Sequence, residues 1–558
     1  MTLDGLVQRT GVDARDARRV SFSASKVSQV IRALIGDHPS ERDVRRRWLE
    51  AVAVRTTASR PDLSESIREI LGVGPVGEDY LKGLTIGEVG VCYEALLALM
   101  HRDDRRSSGQ FFTPDDAAQF MAKQSLDFDE GHWLDPCCGV GNLSWHLTSV
   151  QVDPGAFVRD RLTLVDLDDA ALRTAIVLIG SDWADAGDQD ALRSLSARSQ
   201  QRDFLSSARV PAHDYVIVNP PYARAKERSD LETGRTRDLF AYFLERVALT
   251  SRGFIAVTPA SYLAASKFQP LRDVIDRIYG GGHVFAFDNV PDTLFRGYKF
   301  GSKNTSKTNF VRAAVTVCAP AHTSWKITPI IRWQAAEREA MFSECHLLLA
   351  PRRIGPHGEW AKLGPGMEAV WDSLQRAETV VADLVVNRET PWALDVGLTP
   401  RYYISATYRR LDRASKATLF FADEEARDRA ALVLNSSLPY LWWRALDGGV
   451  TLPRRVLMST PVPDFAINRC LIAALRDSEA RNLVVKLNAG RENQNVKHPE
   501  DLVRALDRWV LRGEHDTRLL YASNMFPLAR ISFLSAISPI DKGASVGGVR
   551  KQRVRQTA

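Results

Sequence analysis

The sequence predicts an α/β protein built around a mainly parallel sheet. Between about Gly109 and Pro320, short apolar runs recur, and most are followed by a stretch with helical spacing. Several of these runs end in glycine, carboxylate or amide residues. Strands that alternate with helices of roughly 10 to 15 residues imply βαβ units. Such sheets bind ligands beyond the carboxyl ends of their strands.

Residues 1–100 carry basic helical patches, RDARRV and RDVRRRWLEAVAVR, and then a segment ending GEVGVCYEALLALM with apolar spacings of three and four. The expectation there is a helical N-terminal region. Residues 101–320 supply the alternating elements: HWLDPCCGVGNLSWHL, RLTLVDLDDAALRTAIVLIG, DYVIVNPPY, DLFAYFLERVALT with GFIAVTP, and HVFAFDNVP with TNFVRAAVTV. No apolar run announces a strand before RDF at Arg202 to Phe204. Beyond Cys318 the alternation stops, and aromatic clusters such as PRYYISATYRR and LPYLWWRAL follow, so residues 321–540 are expected to form a mixed α+β domain. Residues 541–558, rich in Gly, Ser and Arg, are expected to be a basic disordered tail.

At 558 residues and 45% hydrophobic composition, the chain has material for two or three cores. The apolar runs are strand-length, and the polar first segment lacks a signal-peptide core, which together predict a cytoplasmic protein. Six cysteines form neither a disulfide framework nor a zinc pattern, and Cys137-Cys138 has no companion at ligand spacing, so no metal site is expected. The net charge of +6 permits a nucleic-acid partner without identifying one.

In DPCCGVGN, Asp135 to Asn142, Gly139 and Gly141 fall in a strand-to-helix turn where the backbone can approach a ligand. A structural tight turn would need the same glycines. Ser144 occupies the third glycine position of a dinucleotide fingerprint, which argues against a nicotinamide cofactor. The next strand ends at Asp166, placed to accept from ribose hydroxyls, whereas Asp168 or Asp169 suits a helix N-cap better. Asp203-Phe204 pairs a carboxylate with an aromatic. In DYVIVNPPY, Asn219 ends a buried strand, and Pro220 and Pro221 fix a rigid exit whose carbonyls can accept. An amide oxygen beside a carbonyl suits an NH₂ group with two protons to donate, and Tyr222 offers a flat face to its carrier.

The order GQFFTP (Gly109 to Pro114), DPCCGVGN, LVDLDD, RDF, NPPY resembles the amino-methylating, adenine-N6 DNA methyltransferases of the subgroup whose FxTP-like segment comes first and whose target recognition domain comes last. The resemblance covers about residues 85–320, and NSSLPYLWWRAL is similar to segments of their recognition domains. It implies a Rossmann-like catalytic domain over residues 101–320 that uses S-adenosylmethionine, and a DNA target recognition domain over 321–540. Thr113 would contact the methionine carboxylate, Asp135, Gly139 and Gly141 would line the methionine end, Asp166 would hold the ribose, and Asp203 and Phe204 would sit at the adenine. Asn219 and the Pro220 carbonyl would accept from the target N6 amine, Tyr222 would stack on the flipped-out base, and Phe310 would close its other side.

The partners implied are double-stranded DNA and a cognate restriction endonuclease or another defence-system protein, with the chain expected to act without a separate specificity subunit and a modification subunit that needs one as the alternative. The same acceptor pair would serve a glutamine amide in a protein or guanine N2 in RNA. Cytosine-C5 methylation would require a nucleophilic cysteine, for which Pro136-Cys137 lies in the wrong motif. The first 90 residues hold no E-x-K triplet of the kind a fused nuclease carries.

Overall fold

The computed structural model describes residues 17–35, 40–100, 113–206, 209–295, 311–400, 402–488 and 491–515. Residues 516–558, and with them the expected tail, lie outside that set, as does Phe310.

A nine-stranded sheet organises the described residues from Trp133 to Pro351. Its strands are β1 (Trp133–Asp135), β2 (Leu162–Asp166), β3 (Gln200–Gln201), β4 (Tyr215–Val218), β5 (Gly253–Pro259), β6 (Gly282–Phe287), β7 (Ala313–Cys318), β8 (Trp325–Ile327) and β9 (Ala350–Pro351). Their order is β3-β2-β1-β4-β5-β7-β6-β8-β9. Strands β3 through β5 are parallel, while β7 lies antiparallel between β5 and β6. The expected α/β class with a Rossmann-like sheet is therefore present. The strand order reverses at β1 and β4, so the crevice between their carboxyl ends is the topological switch point.

The continuous apolar character of YVIV follows from burial on both faces. Tyr215 and Ile217 join the core on one face with Trp133 and Leu164, and Val216 and Val218 join the opposite core with Phe254 and Ala256. Helices Leu239–Thr250 and Gln269–Ile278 cover the second face, whereas helices Asp115–Lys123, Asn142–Ser149 and Asp169–Trp183 cover the first.

The early region is helical over Ala17–Ile35, Glu41–Ser59, Ser64–Leu71 and Ile86–Met100. It packs on the outer side of helix Asp169–Trp183, where the buried Trp48 indole donates to Thr174 Oγ1 at 2.9 Å. Arg60 satisfies the carbonyls at that helix's end, reaching the Ser181 oxygen at 2.7 Å and the Ala184 oxygen at 2.9 Å.

The sheet does not stop near residue 320, because β8 and β9 extend its edge. Strands of three and two residues have no readable periodicity, which is why the sequence hides them. The C-terminal part is mixed α+β. It has a four-stranded antiparallel sheet ordered Val385–Val386, Lys416–Phe421, Ala393–Gly397, Ala406–Thr407, with helices Glu424–Leu434, Leu438–Leu446, Arg469–Arg481 and Glu500–Val510. Its interior is continuous with the first face of the large sheet, so Met121 and Trp371 belong to one hydrophobic cluster.

Candidate functional site

Three segments distant in sequence meet at the switch point. Asn219 follows β4, and its Nδ2 donates to Thr113 Oγ1 at 3.0 Å. The Thr113 carbonyl in turn accepts from Asn142 Nδ2 at 2.7 Å, and Asn142 opens the helix after the glycine turn. Cys137, within that turn, donates its thiol to the Asn219 carbonyl at 3.2 Å. Thr113, the glycine turn and the NPPY segment are thus directly hydrogen-bonded to one another.

The Thr113 end is anchored from both sides. Asp115 accepts from Thr85 Oγ1 at 2.6 Å and from the Gly87 N–H at 2.9 Å, which ties the segment to the N-terminal helices. Asp116 takes two guanidinium nitrogens of Arg338. Anchors this close hold Thr113 on a fixed backbone.

The two glycines of the turn have different reasons to be glycine. Gly139 has φ +54°, and a Cβ built there meets no atom within 4 Å, so its position borders open space. Its N–H donates to Asp166 Oδ2 at 2.8 Å. Gly141 has φ +92°, and a Cβ there would come within 2.9 Å of Ala175 Cβ and Ile179 Cδ1. Gly141 therefore lets helix Asp169–Trp183 pack against the turn, a requirement that exists with or without a ligand.

Asp135 and Asp166 end β1 and β2 and are 1% and 9% exposed. Asp135 accepts from Ser144 Oγ at 2.8 Å, and burial pushes its carboxyl up to about 7. Asp166 accepts from the Gly139 and Asp168 N–H groups at 2.8 Å each, and burial raises its carboxyl too. Asp168 caps the following helix, as expected, and Tyr93 donates to it at 2.9 Å.

Asp203 lies just past β3, exposed, and accepts from the Leu205 N–H at 2.8 Å. Phe204 is 3% exposed, packed against Phe243 at 5.3 Å with the Arg246 guanidinium 5.5 Å from its ring. Its ring belongs to the second core.

Pro220 is buried, and Tyr222 is half-buried. The Tyr222 hydroxyl donates to the Val257 carbonyl at 2.9 Å, and its ring meets Phe240 and Phe295 edge-on at 6.3 and 5.9 Å. Phe295 is a site neighbour the sequence did not reveal, since only the loop after β6 brings it to Tyr222. Asn142 is another. Its Oδ1 is buried and, among the described residues, has no hydrogen-bond partner, although the residue stands inside the DPCCGVGN motif.

These features fit S-adenosylmethionine. There is open space over Gly139, with a carboxylate at Asp166 for hydroxyl groups and an orphaned buried acceptor at Asn142 for a cationic amine. The cysteines do not fit a nucleophilic role. Burial raises the Cys137 and Cys138 thiols well above their ordinary range and keeps them protonated.

The aromatic segment of the C-terminal part is core. Trp442 and Trp443 are 2% and 1% exposed, and Trp442 stacks on Trp371 at 4.7 Å. Arg455 pairs with the buried Glu359, whereas Tyr402 is exposed with the Arg332 guanidinium 5.4 Å from its ring.

Residues 85–243 match the family model described as N-6 DNA methylase. The Type II methyltransferase M.VspI of Vibrio sp. strain 343 is 25% identical over 167 residues, which is 27% of this chain and 36% of that protein. The chain thus matches about a third of the length of this curated relative. Among solved structures, the DrdV–DNA complex covers 70% of this chain and 50% of its own at 13% identity and a TM-score of 0.39. The methyltransferase subunit of a type I restriction-modification system from Streptococcus thermophilus covers 62% and 93% at 13% identity and a TM-score of 0.32. Among the described residues, no helix is long and apolar enough to cross a membrane.

Proposed function

Because residues 85–243 belong to the N-6 DNA methylase family, whose cofactor is S-adenosylmethionine, we propose that this chain is a site-specific DNA adenine-N6 methyltransferase of a restriction-modification or related defence system. The observation that carries the proposal is the hydrogen bond from Asn219 Nδ2 to Thr113 Oγ1 at 3.0 Å, because it sets which way the amide faces. With its NH₂ engaged by Thr113, the amide keeps Oδ1 as its acceptor, and the carbonyl of the rigid Pro220, next in the chain, would supply the second.

An adenine amine is a weak nucleophile because its lone pair is delocalised into the ring. Two acceptors on its protons, Asn219 Oδ1 and the Pro220 carbonyl, favour a more tetrahedral nitrogen and aim the lone pair. S-adenosylmethionine, when bound over Gly139, supplies an electrophilic methyl group for direct displacement. Asp166 would hold the ribose hydroxyls, and Asn142 Oδ1 and Thr113 would lie at the amino-acid end. Holding both reactants in line replaces a bimolecular encounter, a contribution of up to roughly 7 to 11 kcal/mol in well-oriented systems.

The target amine is inaccessible in a duplex, so the adenine must leave the stack at a cost of a few kcal/mol. Stacking on Tyr222, about 1 to 3 kcal/mol per base, offsets much of that cost. The Tyr222 hydroxyl bond to Val257 anchors the tip of the ring, and the contacts with Phe240 and Phe295 restrict its plane, before the base arrives. Double-stranded DNA is the substrate, read by the region after about residue 320, and the chain acts without a separate specificity subunit.

The test supplies labelled S-adenosylmethionine with duplex DNA, RNA or protein as acceptor. Label in duplex DNA, given by the isolated chain, is the expected outcome. Label only in RNA or protein would overturn the substrate, and activity only with an added subunit would overturn the autonomy.

A further inference from the structure

At the opposite end of the sheet from the candidate site, three side chains from separate segments converge. Asp127 closes the turn Gln124–Asp127, His283 is the second residue of β6, and His322 follows β7. One ligand atom from each lies within 4.8 Å of the others. His322 Nε2 is 3.3 Å from Asp127 Oδ2, and the two imidazole rings lie with centroids 3.9 Å apart and planes tilted by 31°. We propose that these residues bind a divalent transition-metal ion, with Zn²⁺ the best match.

The donor set argues for the ion class. Two imidazole nitrogens with one carboxylate suit zinc, whereas Mg²⁺ and Ca²⁺ prefer oxygen ligands alone. Zn–ligand bonds of about 2.0 to 2.2 Å place tetrahedral ligand atoms about 3.3 Å apart, so the cluster must contract around the ion. The side chain that can move is available, since Asp127 is 48% exposed on a turn, while His322 is 9% exposed and fixed. His322 Nδ1 lies 3.4 Å from the Val317 carbonyl and 3.5 Å from the Ala319 nitrogen, whose N–H points at it, so the carbonyl contact selects one tautomer and the N–H contact the other. An imidazole that donates its Nδ1–H to a backbone carbonyl presents Nε2 as a lone pair, the arrangement that orients a metal-bound histidine. In that tautomer, Nε2 and the Asp127 carboxylate are both acceptors, and a cation between them satisfies both. Lys326, the register partner of His283 on β8, is exposed and can turn its ammonium to solvent.

The ion would clasp the end of the segment whose beginning carries Thr113. Helix Asp115–Lys123 runs directly into the Gln124–Asp127 turn, so the metal would tie that helix to the β6–β7 pair. Its role is structural, because the methyl-transfer residues lie at the other edge of the sheet.

The test uses the full, tag-free chain stripped with a chelator. Zn²⁺ is titrated by calorimetry, Co²⁺ by visible absorption, and thermal unfolding is followed with and without Zn²⁺. The expected result is one ion per chain, a tetrahedral Co²⁺ spectrum and a rise in Tm. Asp127→Asn, conservative at an exposed position, and His283→Gln should each weaken Zn²⁺ binding at least tenfold and abolish the Tm rise, with DNA methylation by the metal-free chain retained. Unchanged Zn²⁺ binding in both variants would place the ion elsewhere and overturn the assignment. Absence of any stoichiometric binding would overturn it too, and would mean that His322 simply donates Nε2–H to Asp127.

Discussion

Thr113 shows how one residue can be given two jobs that experiment can separate. The family resemblance assigns it to the cofactor's carboxylate, whereas in the structure its hydroxyl accepts from Asn219 Nδ2. If it positions Asn219, Thr113→Val should lower kcat by roughly 10- to 100-fold, the cost of a small misplacement at a reacting group, with a smaller change in cofactor KM. Steady-state kinetics would show the reverse split if its main task were cofactor binding. The two glycines separate in the same way. Gly141→Ala adds a Cβ 2.9 Å from Ala175 at a positive φ and should destabilise the chain by roughly 1 to 3 kcal/mol. Gly139→Ala borders open space and should cost stability only through its φ, about 1 to 2 kcal/mol at most, while weakening cofactor binding more than Gly141→Ala does. Calorimetry and thermal unfolding of both variants check the contrast. Asn219, Asp166 and the glycine turn were legible because each is a local pattern at a strand end. Phe295, the Asn142 oxygen and the Asp127–His283–His322 cluster were not, because their meaning arises only when distant segments fold together.

Among the elements, the end of β6 joins the two halves of the chain. Asp288, fully buried there, pairs with Arg312 at 2.8 Å, Arg332 at 2.7 Å and Arg444 at 3.0 Å. Arg444 comes from helix Leu438–Leu446, the segment whose aromatic character suggested recognition and whose tryptophans are core. The surrounding guanidinium groups hold the Asp288 carboxyl down to about 2, although burial alone would raise it. A carboxyl depressed in the folded state stabilises it above the unfolded value near 3.8, and that contribution, roughly 2 kcal/mol, is lost as pH falls toward about 2. Asp288→Asn strands buried cations and should cost about 3 to 5 kcal/mol near neutrality. Its Tm deficit against the unmodified chain should narrow as pH drops from about 4 toward 2, and a constant gap would show that the charge is not the cause. Strand β3 is the element the sequence concealed most thoroughly: Gln200 and Gln201 are exposed and pair only with β2, so no apolar run marks it.

Across the whole molecule, the α/β class and the succession β1, β2, β4, β5 could be read from apolar runs, because strands buried on both faces have no polar side to show. The edge strands β8 and β9 and the shared core behind them could not, since their sequences answer to tertiary packing. The same sheet brings Thr113, Asn142 and Asn219 into one hydrogen-bonded chain, and the proposed chemistry depends on that convergence. The most direct test incubates the chain and its Asn219→Ala variant with duplex DNA and S-adenosylmethionine, digests the DNA to nucleosides and identifies the methylated product by mass spectrometry. The prediction is N6-methyladenine from the unmodified chain and none above background from the variant, with cofactor binding retained in both. Methyl on cytosine C5, or undiminished N6-methyladenine from Asn219→Ala, would contradict the account.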